Sequence, residues 1–405
     1  MAQGTLSSQS DTALQLHVAR NSGSLVGAPM GCSAVPYMPN LLFSLFLFGA
    51  FQQACTVTLR HVADGGGNQD LLPQIEDHRA EANAGQCNVC TLGGDKAARL
   101  FIRGRKDGLG STVHSLICGM AVAARCGFRF GGVLQGLQDR ESHEVHIGKT
   151  LQDLFGLSSD ENLLVLRSSL HGPVRVISQD ELEDHRRYPA SANVLFNTTT
   201  PQYWIGAEDY GDFLNPGFLR ALTAQVMPGM MPRVAFFKPG APSVAMHIRR
   251  GDVTSEDTSR YTPDEWYLRT AELIREALPD ADIHAWSSTE GSAQTIADFH
   301  NFISSGIIVH LDGDPLDAWA HFAAAQVLVL ARGTFSRVPA LLSSGCVVYQ
   351  RGAPPDYVLP RWVDGTKVDR RGYSDDLAGC IRRGTARQAL SRSRQDLADA
   401  LRGAS

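Results

Sequence analysis

The 405-residue chain has no stretch of 18 uninterrupted apolar residues, which excludes a protein that crosses a membrane many times. It has no block of five like charges, and Lys+Arg 37 against Asp+Glu 42 leaves a net charge of −5. A nucleic-acid-wrapping or polybasic membrane-surface role therefore lacks electrostatic support. Eight cysteines in 405 residues are far too few for a disulfide scaffold, although a few bridges fit. No repeat of solenoid period occurs. What remains is a globular composition, 43% hydrophobic and 20% charged, that argues against wholesale disorder. The length exceeds the roughly 250–300 residues one core serves, so two domains are expected.

The first 37 residues are rich in Ser, Gly, Ala and Gln and lack a sustained period. Leu41–Phe51 (LLFSLFLFGAF) is too short to span a bilayer comfortably and suits the apolar region of a leader. A start at Met38 would give a leader ending near Ala54, or a single short signal-anchor. Residues 1–55 are accordingly expected to be a tail plus targeting segment, and the protein to enter the secretory pathway. Cys87 and Cys90 form a lone CxxC without a second pair at zinc spacing, so a disulfide involving one of them is expected rather than a metal. Asn197-Thr198-Thr199 is an N-glycosylation acceptor triplet, meaningful only in that pathway.

From residue 97 the chain alternates between strand and helix. Ala98–Arg103 reads as a strand, then come a turn with Gly108 and Gly110, a helix over Ser111–Arg125 and a strand over Phe128–Leu134. That is a βαβ unit and implies a parallel sheet. Leu163–Arg167 and Val174–Ser178 read as strands and Asn215–Val226 as a helix. Pro239-Gly240-Ala241-Pro242 is the clearest linker. Beyond it, strands at Ser243–Ile248, Asp282–Ser287, Ile307–Leu311, Gln326–Ala331 and Cys346–Gln350 alternate with four helices. A final polar helix is expected over 385–402. The boundaries are thus 56–238 for one Rossmann-like domain, 243–384 for a second, and 385–405 for a helical tail. The fold class is α/β, with two Rossmann-like domains facing a cleft and ligands at the carboxyl ends of the strands.

The residues after those strands carry chemistry. Ser243–Ile248 runs into His247-Ile248-Arg249-Arg250-Gly251-Asp252. Side chains alternate along a strand, so only one arginine can face a ligand, and the other is expected to pair with a carboxylate such as Asp252. An arginine there can hold a phosphate or diphosphate bidentately. Gly333-Thr334-Phe335-Ser336 lies between a strand and a helix, where free backbone N–H groups and the positive helix end favour an anion. Gly108-Leu109-Gly110 would let a ligand approach the backbone, although it lacks the full dinucleotide fingerprint.

HIRRGD, GLGSTVHSLICGMAVAARCG and AQVLVLARGTFSRVPALLSSGCVVY resemble, in order, the HxRR, glycine-loop and (S/T)FS motifs of the α1,2-, α1,6- and protein O-fucosyltransferase superfamily. The resemblance covers about residues 97–350. It implies a GT-B fold and inverting transfer of fucose from GDP-fucose to a glycan or protein hydroxyl in the Golgi or endoplasmic reticulum lumen, with neither cofactor nor metal. It implies that Arg249 stabilises the leaving diphosphate, with His247 and Arg250 beside it. Thr334, Phe335 and Ser336 would line the phosphates after Gly333, and Asp317 would contact guanine. Ser111-Thr112 stand where the family has Asn-Gln. No motif fixes the general base; Glu256 and Asp257 are candidates by position, and His114 reads as a helix histidine.

Other readings remain open at this level. A metal-dependent transferase of the other common fold needs an Asp-x-Asp at a strand end, and Asp312-Gly313-Asp314 fits that pattern. Another GT-B nucleotide-sugar transferase, or a silent nucleotide-sugar-binding protein, would keep the same motifs. The expected partners are a nucleotide-sugar donor and a glycan or glycoprotein acceptor, with no nucleic acid.

Overall fold

The computed structural model describes residues 88–403 apart from 93–96, 106, 136–143, 158–162, 183–184, 291–294, 353–356 and 369–370. The expectations placed on Met38, Leu41–Phe51, Ala54 and Cys87 lie outside the described residues. All described residues belong to one compact unit, His78–Ser405.

The first sheet is five-stranded and parallel. Its strands are β1 (Arg99–Arg103), β2 (Arg129–Gln135), β3 (Leu164–Leu166), β4 (Val174–Ile177) and β5 (Asn193–Phe196), in the order β3-β2-β1-β5-β4. Helix α1 (Leu109–Arg125) crosses from β1 to β2 and is buried nearly all round, from Thr112 to Ala123. Its small residues permit that burial, since Gly119 packs against Ile102 and Phe130. Helices α2 (Glu144–Phe155) and α3 (Pro216–Met230) are the longer of the other helices in this half. Asn215 caps α3 by accepting from the N–H groups of Gly217 and Phe218 at 2.9 and 3.0 Å.

The second sheet is six-stranded and parallel, in the order β11-β10-β9-β6-β7-β8. Its strands are β6 (Ser243–His247), β7 (Asp282–Ser287), β8 (Ile308–Leu311), β9 (Val327–Val329), β10 (Cys346–Tyr349) and β11 (Val363–Asp364). β9 and β10 are buried on both faces, which is why they read as unbroken apolar runs rather than alternating ones. Helices α4 (Asp264–Ala277), α5 (Pro315–Ala324) and α6 (Arg337–Leu342) pack on this sheet with α7 (Tyr373–Gly403). The chain winds outward through β6, β7 and β8, then returns to the far side of β6 for β9, β10 and β11. This is the doubly wound Rossmann order, and its reversal falls between β6 and β9.

The halves meet through more than the linker. One apolar cluster runs from Leu100 and Ile102 through α1 to Trp319, Phe322 and Leu341. His321 fastens the segment before the linker: its Nε2 accepts from the N–H groups of Ala235 and Phe236 at 3.1 and 3.0 Å, while Nδ1 donates to the Asp317 carbonyl at 2.7 Å.

Several elements differ from the sequence reading. α2, β5 and β11 were not anticipated. The C-terminal helix begins at Tyr373, twelve residues before 385, because Cys380 of α7 forms a disulfide with Cys346 of β10 and anchors its first turns on the sheet. Cys90 is also disulfide-bonded, in line with the expectation for the CxxC pair.

Candidate active site

The site forms where β6 and β9 end side by side. β6 continues through Ile248, whose N–H donates to the Trp286 carbonyl at 2.9 Å, and so holds its direction as it delivers Arg249 and Arg250. The two arginines part, as alternation requires. Arg249 lies against the Gly333 turn; a Cβ on Gly333 would sit 2.5 Å from its Nη1. Gly333 itself has φ +142°, so glycine is needed here both for backbone shape and for this close approach.

Arg250 points into the protein and is 5% exposed. It donates to the carbonyls of Arg249 at 2.8 Å and Thr262 at 3.0 Å, pairs with Asp264, and lies over the Tyr261 ring at 4.2 Å. The expected partner was therefore misassigned. Asp252 binds Arg249, with Nη2–Oδ2 at 2.7 Å and Nε–Oδ1 at 3.3 Å, because the Gly251 turn, at φ +74°, swings it back toward Arg249.

His247 is buried, and its Nδ1 lies 3.0 Å from Ser336 Oγ. Burial first, then Arg249 and Arg250, push its pKa down to about 3, so the ring is neutral. Ser336 is fully buried, so its hydroxyl positions His247. Gly333, Thr334 and Phe335 are the partly exposed members of the turn. α6 has only six residues, too few to sum a sizeable dipole, so positive charge at this corner comes from arginine rather than from the helix end.

The glycine loop of the other half closes onto this turn. A Cβ on Gly110 would lie 2.5 Å from the Phe335 Cα, so the backbones touch there. Ser111 Oγ lies 2.9 Å from Thr334 Oγ1, a side-chain bridge between the two halves. Gly108 is the N-cap of α1, and a Cβ added there would meet nothing within 4 Å.

The remaining candidates spread out. Asp317 is paired with Arg233 at 2.7 Å. Asp257 accepts from Ser259 Oγ at 2.6 Å and binds Arg260 at 2.7 Å; the Ser259 hydroxyl and the Arg260 guanidinium lower its pKa. Glu256 is exposed on the same loop. His114 is a buried helix histidine, as expected, with Nε2 2.7 Å from the Tyr210 hydroxyl. In the Asp-Gly-Asp stretch, Asp312 accepts from Ser288 and Thr289, and Asp314 caps α5. Among the described residues no group of three His, Cys, Asp or Glu side chains is arranged to hold a metal.

Sequence reasoning passed over three arginines. Arg260 reaches Asp252 at 3.7 Å. Arg332 donates to the carbonyls of Thr258 and Tyr261 at 2.8 and 3.4 Å, stapling the loop after β6 to the end of β9. Arg337 opens α6 with its Nε buried and without a hydrogen-bond partner among the described residues. The signal for the last two was present, since RGTFSR sets an arginine on each side of the turn.

These features define the class: an α/β protein of two Rossmann-like parallel sheets, with a cationic corner at the switch point of the second. No protein-family model matches the sequence, and no curated protein matches it. Among solved structures the chain is similar to POFUT1 in complex with GDP, at 8% identity and a TM-score of 0.34, over 62% of this chain and 95% of that one. It is similar also to the E. coli heptosyltransferase WaaC with ADP-2-deoxy-2-fluoro heptose, at 11% identity and a TM-score of 0.35, over 70% and 99% of the two chains. The fold assignment rests on the strand orders themselves.

Proposed function

We propose that the protein is a GT-B-type glycosyltransferase that moves fucose from GDP-fucose, with inversion and without a metal, to a glycan or protein hydroxyl. One observation carries this reading: Arg249 is held against the Gly333 turn at the β6–β9 switch point, the place where doubly wound sheets take nucleotides. In the reaction the acceptor oxygen bonds to the sugar C1 as the bond from C1 to the diphosphate oxygen breaks. Arg249 meets the charge that grows on the departing diphosphate. Glu256 is the better candidate to take the acceptor proton, since Asp257 is stabilised as a carboxylate by Ser259 and Arg260 and is the weaker base.

Calorimetric titration of the purified protein with GDP, UDP and CMP sugars tests the donor. GDP-fucose is expected to bind most tightly, and equal or tighter binding of a UDP sugar overturns the assignment. A different donor on the same corner is favoured by one observation, that Asp317 is already paired with Arg233 rather than open to a base. A protein that binds the donor but turns over no acceptor would be the silent form of the same site.

A secretory location, Golgi or endoplasmic reticulum, belongs to this proposal. Its supports are the Cys346–Cys380 disulfide, the bridged Cys90, and the exposed Asn197 in its acceptor triplet. No helix among the described residues is long and apolar enough to cross a membrane. Recovery of the protein with reduced cysteines and an unmodified Asn197 would overturn this location.

A further inference from the structure

Arg249 and Arg260 lie eleven positions apart in the chain yet converge on one carboxylate. Arg249 grips Asp252 through two nitrogens, at 2.7 and 3.3 Å, and Arg260 reaches the same Oδ2 at 3.7 Å. A carboxylate held in that fork presents oxygens to guanidinium nitrogens much as a phosphate does. Arg249 is mostly covered, its side chain 24% exposed, whereas that of Asp252 is 61% exposed. The cation is fixed and the anion stands at the surface, where leaving the pair costs little. Arg260 is held from behind by Asp257 at 2.7 Å, and Arg332 fastens the loop that carries it through the Thr258 and Tyr261 carbonyls.

We propose that Asp252 stands in for a phosphate group between Arg249 and Arg260, and that Arg260 is a second cation for the donor's diphosphate. The inference rests on the donor reading above and adds two residues to it. A diphosphate carries more charge than a carboxylate and has oxygens enough to engage both guanidinium groups at once. On binding, it replaces Asp252, which swings into solvent. Asp252 thereby keeps the two like charges compensated until the donor arrives, at the expense of competing with it.

The test is calorimetric titration of the whole protein with inorganic pyrophosphate, which carries the shared chemistry without base or sugar. Asp252→Asn is expected to bind pyrophosphate about fivefold tighter than the wild type, the scale of one exposed ion pair. Adding Arg260→Ala to that variant is expected to remove the gain. Glu290→Gln makes the same charge change on the neighbouring loop, whose Glu290 carbonyl adjoins Gly251, and is expected to leave affinity within about twofold. The inference is overturned if Asp252→Asn binds no tighter, or if Glu290→Gln tightens binding equally. Arg249→Ala separates the two readings. If it binds pyrophosphate like the wild type, the donor site itself is misplaced. If it loses binding while Asp252→Asn gains none, only the role of Asp252 and Arg260 falls.

Discussion

Two adjacent arginines in this chain do different work, and the difference is measurable. Arg249→Ala is expected to lower sugar transfer by ~10²–10³ while leaving the melting temperature near that of the wild type, as for loss of one charged donor to a leaving group. Arg250→Ala leaves Asp264 facing a buried gap where a guanidinium stood. Breaking a buried pair in this way costs about 3 kcal/mol, so urea denaturation should show the loss directly. Gly333→Ala acts on Arg249 from the other side. Its methyl group would collide with Nη1 and must also adopt φ +142°, so donor affinity and stability are both expected to fall. If Gly333→Ala binds donor normally, Arg249 is not seated where its chemistry requires.

At the scale of elements, histidines set the response to acid. Burial is the first-listed cause in each case: it pushes His114 and His247 down to about 3 and His310 to about 4, and lowers His321 as well. In the unfolded chain each takes a proton near pH ~6.5, so acid favours unfolding. The stability they lend is complete above pH ~6.5 and declines as pH falls from there toward about 4 and below. Urea midpoints at pH 7 and pH 5 should differ accordingly, and His321→Gln, which keeps an acceptor for Ala235 and Phe236, should reduce the difference. The Cys346–Cys380 bridge closes a sequence separation of 34 between β10 and α7. Its removal by Cys380→Ala is expected to cost about 3–4 kcal/mol, on the loop-entropy estimate. A reduced protein as stable as the oxidised one would contradict that.

The second half was more legible in the sequence than the first, for physical reasons. β6, β9 and β10 are buried on both sides and announce themselves as short apolar runs between turns. β3 and β4 are edge strands of three and four residues, and only their valines and leucines marked them. β5 hid because Asn193-Val194-Leu195-Phe196 begins with a polar residue whose amide donates to the His171 carbonyl, a contact made far along the chain. The opposed directions of Arg249 and Arg250 followed from strand alternation alone. The partner of each did not, since it depends on how the Gly251 turn redirects Asp252. Arg260 was illegible for the same reason: nothing in the spacing says that its loop folds back over β6.

For the molecule as a whole, the corner exists only once distant stretches of chain have met. Val244 of β6 is aligned with Val327 of β9, so some eighty intervening residues must be folded away before Arg249 faces Gly333. Pairings of such long range slow the search for the native state. Binding competence should therefore recover late in refolding, after most helical signal has returned, and stopped-flow measurement with a fluorescent nucleotide would check the order. Donor that binds only the finished corner also pulls the equilibrium toward it, by RT ln(1 + [L]/Kd). On the proposed donor reading, a cell rich in nucleotide sugar would then harbour fewer misassembled copies than one starved of it, and ligand supply would set the abundance of the protein.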